Sequence, residues 1–177
     1  MKFIETELKD AVLIELEKRA DERGFFARTF CATEFGAAGL ETVFVQANHS
    51  RNRLGGTLRG MHFQRRPHAE VKVVRCVRGA IRDVIVDIRP ESPTFGRWQG
   101  FDLDAEEGRM LYVPAGFAHG FQTLADHSEV AYRISHRYTP AAASGVRWDD
   151  PAFGIAWPRP VVGLSERDAA WPLLGTA

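Results

Sequence analysis

Val71-Lys72-Val73-Val74-Arg75-Cys76-Val77, then Arg78-Gly79, then Ile81-Arg82-Asp83-Val84-Ile85-Val86-Asp87-Ile88: two β-branched, apolar runs stand either side of a short break containing glycine. β-Branched side chains suit a pleated surface, and runs of this length suit strands. A glycine between two such runs reads as a two-residue hairpin. That register pairs Val77 with Ala80, puts Val74 opposite Asp83 and puts Lys72 opposite Ile85. Pro90 to Pro93 form a turn that ends the second run. Working outward, strands are expected at 43–46, 97–103, 110–113, 120–124 and 129–138, with short helices at 31–36 and near the C-terminus. Short strands at close spacing predict a mainly all-β chain, an antiparallel sandwich or barrel rather than alternating βα units.

Strand alternation then assigns faces. Over 129–138, Val130, Tyr132, Ile134, His136 and Tyr138 share one side, and Ala131, Arg133, Ser135 and Arg137 the other. Tyr132 travels with the apolar set and is expected to point inward. In the hairpin, Lys72 and Asp83 become diagonal neighbours. Val74, Cys76, Ile81 and Ile85 flank them, and a charged group on an apolar face must be paired or functional. The expectation is an inward lysine held by a carboxylate beside a ligand.

Composition limits the partners. The 177 residues suit one domain spanning 1–177 with a real core. Charged residues make up 26% and the formal net charge is zero, which argues against a nucleic-acid or membrane surface driven by bulk charge. No apolar run approaches the roughly 18 residues needed to span a bilayer, and Met1-Lys2-Phe3-Ile4-Glu5 lacks the long apolar region of a signal peptide. Cys31 and Cys76 are far apart, with no Cys-x-x-Cys spacing. They read as reduced core or near-core thiols of a cytoplasmic protein.

Two histidines stand out. His62 lies in Leu58-Arg59-Gly60-Met61-His62-Phe63-Gln64, and His119 in Pro114-Ala115-Gly116-Phe117-Ala118-His119-Gly120-Phe121. Imidazole titrates near neutrality and suits proton transfer. Arg59, with no partner nearby in sequence, has the shape for phosphate. The Pro-x-Gly-x-x-His pattern resembles the second metal motif of the cupin superfamily. The first motif, however, would need His-x-His, and here the stretch reads His62-Phe63-Gln64. Glu70 and Glu129 are the acids left open as a further ligand, but two separated imidazoles make a poor iron or zinc site, and no metal is expected.

Taken in order, these motifs resemble one family. With Lys72-Val73-Val74-Arg75, Asp83-Val84-Ile85-Val86-Asp87-Ile88-Arg89, Ser92-Pro93-Thr94-Phe95-Gly96 and Trp157-Pro158, the chain is similar to the dTDP-4-dehydrorhamnose 3,5-epimerases, often called RmlC. The likeness runs from Asp21-Glu22-Arg23-Gly24-Phe25-Phe26 to Leu164-Ser165-Glu166-Arg167-Asp168. It implies a cupin-type jelly roll, a homodimer, no cofactor or metal, and a nucleotide-linked 4-keto-6-deoxyhexose as substrate. It implies His62 as base, Asp168 as the carboxylate that orients and charges it, Lys72 as the cation near the enolate oxygen, and Tyr132 as proton donor. It implies substrate contacts from Arg23, Phe25, Gln46, Asn48, Arg59, His119 and Arg167, with Arg23 and Arg59 suited to the diphosphate.

The pattern is broken in places. Ala27-Arg28 stands where the family usually has a glutamate, Arg137 where it has an aromatic, Ala143 where it has an acid, and Gln46-Ala47-Asn48 where Gln-Asp-Asn is usual. These positions are expected to cluster around the nucleotide base and ribose, with two readings open: drifted loops that still bind thymidine through diphosphate contacts from Arg23 and Arg59, or a relaxed or altered base preference. Three rivals stand beside the double epimerase: an enzyme inverting C3 or C5 alone, a metal-dependent cupin oxygenase, and a non-catalytic nucleotide-sugar binder.

Overall fold

The runs 72–74, 83–87, 110–113 and 117–123 are buried on both faces, so the middle of each sheet is covered on both sides. The computed structural model describes residues 1–175; the domain expected over 1–177 reaches two residues past them. In chain order the elements are β1 (Lys2–Glu5), β2 (Val12–Glu15), β3 (Arg19–Asp21), β4 (Gly24–Phe26), α1 (Ala32–Ala37), β5 (Gln46–Arg51), β6 (Leu58–Gln64), β7 (Lys72–Arg78), β8 (Ala80–Asp87), β9 (Trp98–Asp104), β10 (Met110–Val113), β11 (Phe117–Thr123), β12 (Glu129–Ile134), β13 (Ala143–Gly145) and α2 (Glu166–Ala169). One antiparallel sheet has the order β1-β2-β10-β7-β12-β5, the second β13-β6-β11-β8-β9, and β3 and β4 form a separate hairpin. This is the expected mainly β jelly-roll sandwich.

Three apolar clusters follow from the alternation. Val74, Cys76, Leu111, Val113 and Val130 of the first sheet meet Ile81, Ile85, Leu103, Phe117 and Phe121 of the second. Val12, Ile14, Val73, Met110 and Tyr112 point the other way and are covered by Phe35 of α1 with Phe30 and Phe44. Met61, Val84, Val86 and Ala118 lie on the far face of the second sheet, under Val146, Phe153 and Trp157. Both cysteines are free, Cys76 buried and Cys31 partly so.

The hairpin expected at Arg78-Gly79 is not one. β7 pairs with β10 and β12, whereas β8 pairs with β11 and β9, so the chain crosses here from one sheet to the other. Gly79 has φ +71°, and a Cβ on it would lie 2.5 Å from Ser128 Oγ. The break is therefore a close-packed corner that only glycine fits, and the proposed register of Lys72 against Ile85 does not exist. Burying both runs against each other across the sandwich covers more apolar surface than pairing them edge to edge.

Two expected strands change extent. Residues 43–45 are outside β5, which begins at Gln46. Phe44 turns toward Phe30, with ring centroids 5.4 Å apart, while Val43 and Val45 are exposed. The strand expected over 129–138 ends at Ile134, but His136 and Tyr138 stay on the inner side, where the alternation puts them.

Candidate active site

The second sheet supplies two imidazoles that face the interior. His62 on β6 and His119 on β11 are register partners. The first sheet supplies Lys72 on β7, Tyr132 on β12, and Gln46 and Asn48 on β5, with Asn48 opposite Tyr132. Between them lie two cavities of about 290 and 360 Å³, which share His62, Lys72 and Tyr132 in their walls. Groups on opposite sheets thus face one another across the cleft.

His62 Nε2 lies 2.6 Å from Asp168 Oδ1, as expected for residues 106 apart in sequence. Asp168 arrives there because the C-terminal segment is pinned along its length. Leu58 N–H donates to Gly163 C=O, Arg147 N–H to Pro172 C=O, and Leu174 N–H to Asp150 Oδ2. Ser165 caps α2 by accepting from Asp168 N–H at 3.1 Å, a Ser-x-x-Asp start signal. Burial pushes the Asp168 carboxyl up, but the His62 hydrogen bond and charge, with Gly60 N–H and Ser165, outweigh it and hold it below the usual 3.8. An ionised carboxylate only accepts. Nε2 of His62 therefore carries a proton, and in the neutral imidazole Nδ1 keeps the lone pair.

Trp171, which sequence reasoning missed, walls the imidazole edge-on, with ring centroids 6.3 Å apart. A Cβ on Gly145 would fall 2.5 Å from the indole, so the glycine opposite His62 on β13 makes its seat. Arg167 lies over the same indole, 5.0 Å from its centroid. Trp171 lies just past the C-cap of α2 at Ala170, so helical spacing does not place it.

Lys72 is buried, but its partner is not Asp83. Its Nζ lies 3.3 Å from Glu70 Oε1 and donates to His62 C=O at 3.2 Å. Asp83 instead holds His119, at 3.0 and 3.2 Å. The diagonal pair fails with the hairpin that would have made it. Burial pushes the Lys72 ammonium below the lysine range, opposed by Glu70 and then Asp83. Alternation at i and i+2 places Glu70 beside Lys72, a signal the sequence carried.

Among the contact candidates, Arg59 donates to Asn52 Oδ1 at 2.8 Å and stands exposed at the mouth. Gln46 donates to Asn48 Oδ1 at 3.1 Å. Arg167 lines the cavity beside Trp171. Arg23 and Phe25 are not brought in. They sit on the exposed β3–β4 hairpin, where Arg23 pairs with Asp21, and neither lines the cleft of this chain. The four departures do not cluster within the chain either. Ala143 and Tyr138 line the cleft, Ala47 faces out from β5, Arg28 pairs with Glu34 beside another cavity, and Arg137 is exposed. Among the described residues no three His, Cys, Asp or Glu side chains converge as a metal would require.

A cleft lined by histidine, lysine and tyrosine between the two sheets of a jelly roll places the molecule among cupin-type sandwich proteins. Comparison narrows that class, because the model of one family matches residues 5–176: the chain belongs to the dTDP-4-dehydrorhamnose 3,5-epimerase family. It is 45% identical to the Salmonella typhimurium dTDP-4-dehydrorhamnose 3,5-epimerase, covering 100% of this chain and 97% of that one. It is similar to the structure of RmlC from Legionella pneumophila in complex with dTDP-4-keto-L-rhamnose (TM-score 0.93, 39% identity, 99% and 93% covered). It is also similar to ChmJ, a 3'-monoepimerase from Streptomyces bikiniensis in complex with dTDP-quinovose (TM-score 0.90, 37% identity, 97% and 87% covered).

Proposed function

We propose that the chain inverts C3 and C5 of a nucleotide-linked 4-keto-6-deoxyhexose, converting a dTDP-4-dehydro-6-deoxyglucose-type substrate to the dTDP-4-dehydrorhamnose type without a cofactor. The observation that carries this is the placement of His62 on one sheet, with Lys72 and Tyr132 facing it from the other. Inverting a carbon needs a base on one side of the ring and an acid on the other.

The hydrogens on C3 and C5 are acidic because the carbanion delocalises onto the C4 oxygen. His62 Nδ1 takes such a proton, and Asp168 stabilises the imidazolium through Nε2. The electron pair moves onto oxygen, where the Lys72 ammonium meets the developing charge. Tyr132 returns a proton to the opposite face and the ketone re-forms. Half-exposed His62 gives its proton to solvent, and Tyr132 is reprotonated from solvent before the next inversion.

Arg59, Gln46, Asn48, His119 and Arg167 are proposed to hold the substrate, with Arg59 at the diphosphate. Arg23 and Phe25 fit this reading if a second copy of the chain delivers its β3–β4 hairpin, so a homodimer is part of it. A cytoplasmic site of action follows from the nucleotide-sugar substrate; no helix among the described residues is long and apolar enough to cross a membrane.

A second reading, inversion at one centre, draws support from the likeness to ChmJ, since the same side chains serve either outcome. Incubation with dTDP-4-keto-6-deoxyglucose in heavy water separates the two. Deuterium at C3 and C5 with inversion at both supports the first. Deuterium at one carbon gives the second, and none at either overturns both. Tyr132→Phe refines the test, because it should let deuterium wash in with little inversion. Exchanging dTDP for another nucleotide on the same sugar tests base preference. A loss of kcat/KM above about a hundredfold, the scale of a specific polar contact, rejects relaxed preference.

A further inference from the structure

Glu70 lies just before β7, and its carboxylate and the Lys72 ammonium are both buried, 7% and 8% exposed. Oε1 faces Lys72, while Oε2 is shielded from solvent and has no hydrogen-bond partner among the described residues. A buried charge with half its acceptors unused is costly, so its retention beside the cleft calls for a role. Lys72 is also the one buried lysine of four; Lys2, Lys9 and Lys18 are exposed. We propose that Glu70 is a positioning residue for the proton-transfer reaction, holding the Lys72 ammonium charged and aimed at the substrate's ketone oxygen.

This deepens the epimerase reading and rests on it. The groups around Lys72 are Glu70 from its own segment, His62 from β6, Asp83 from β8, His119 from β11 and Tyr132 from β12, with Arg59 on the same cavity wall. Among these, Asp168 occupies His62 and His119 occupies Asp83. Glu70 is the carboxylate in direct contact with Lys72. Burial drives the ammonium toward the neutral amine, and Glu70 is the largest force against it. A neutral lysine could not stabilise an enolate by charge.

With four lysines, carbon-13 labelling of the lysine Cε positions gives a titration simple enough to read, and Lys72→Met assigns the Lys72 signal. The wild-type Lys72 midpoint should coincide with the basic limb of kcat/KM. In Glu70→Gln its midpoint should fall by about 1 to 3 units, the usual effect of removing an opposite charge at this range. The basic limb of kcat/KM should move down by the same amount, with kcat falling and KM nearly unchanged. Glu70→Asp should recover part of both shifts. An unmoved midpoint, or a moved midpoint with an unmoved limb, overturns the proposal even if activity and Tm both drop, since a merely structural role does that. If Glu70→Gln does not fold, the wild-type titration decides: a Lys72 midpoint that does not coincide with the basic limb of kcat/KM overturns it. Failure of the epimerase reading looks different, because wild-type enzyme then takes up no deuterium at any pH. That result removes Glu70 from the reaction while its hold on Lys72 stays readable in the titration.

Discussion

Two neighbouring histidines of the second sheet each face an aspartate, yet the two pairs are built differently. His119 and Asp83 come from adjacent strands and are both buried. Their geometry is fixed by sheet register alone. His62 lies on the next strand, 42% exposed, and its aspartate arrives from a four-residue helix near the C-terminus. An imidazole that cycles a proton needs access to substrate and solvent, whereas one that holds a ligand gains from being locked. The same two residue types therefore separate into a half-exposed pair suited to acid–base work and a buried pair fixed by the sheet, and burial makes the difference.

The sharpest way to break this contrast is His62→Asn. Asparagine fits the strand but cannot cycle a proton, and general acid–base catalysis is worth about 10²–10⁴. The fold should persist by circular dichroism, while exchange of the substrate's α-hydrogens into heavy water falls at least that far. Exchange near the wild-type rate would remove His62 from the reaction. Lys72→Ala comes next. A cation at a developing oxyanion acts on the transition state more than on the bound substrate, so kcat should drop by about 10²–10³ with a smaller change in KM. Weakened binding with kcat intact would instead assign Lys72 to the phosphates.

Much of this was legible in the sequence, for identifiable reasons. β8 and β10 read correctly because unbroken β-branched or apolar runs have few other uses. Tyr132 was rightly turned inward by strict alternation with Val130 and Ile134. The corner at Gly79 was misread because a glycine with positive φ serves a hairpin and a sheet-to-sheet crossover equally well, and only Ser128, 49 residues on, distinguishes them. β1 to β4 and β13 were missed; β13 is three residues held by pairing with β6, which local pattern does not encode. In the site, motif resemblance joined His62 to Asp168 across 106 residues where spacing alone could not. Asp83 was assigned to Lys72 because the assumed hairpin made them neighbours, and Glu70, two residues away on the same face, was passed over.

Asp83→Ala tests the rigid half of the comparison. It leaves a buried imidazole without its acceptor, at a cost of about 1–3 kcal/mol, and each kcal/mol lowers Tm by roughly 2–4 °C at this chain length. Asp168→Ala should show the reverse balance: deep loss of kcat with a smaller change in Tm. Should Asp83→Ala keep its Tm and lose α-hydrogen exchange as completely as Asp168→Ala, the second pair would belong to the proton path and the division of labour would fail.

The smallest effect is acid sensitivity at Asp168. Its folded value lies below the ordinary 3.8, because the His62, Gly60 and Ser165 contacts exceed the opposing cost of burial. A carboxyl depressed on folding binds fewer protons in the folded state than in the unfolded one. Its contribution to stability is therefore complete above the unfolded value and lost as pH falls through the folded one. Asp87 has the same direction, with burial opposed by Arg89, Ser92 and Thr94, so wild type alone cannot isolate Asp168. The difference in Tm between wild type and Asp168→Asn does. That gap should still be open at about pH 5, one unit above the aspartate reference, and close progressively below it. A gap that stayed constant to the acid limit of folding would mean that Asp168 carries the same charge preference folded and unfolded. The His62–Asp168 pair would then be a contact of shape.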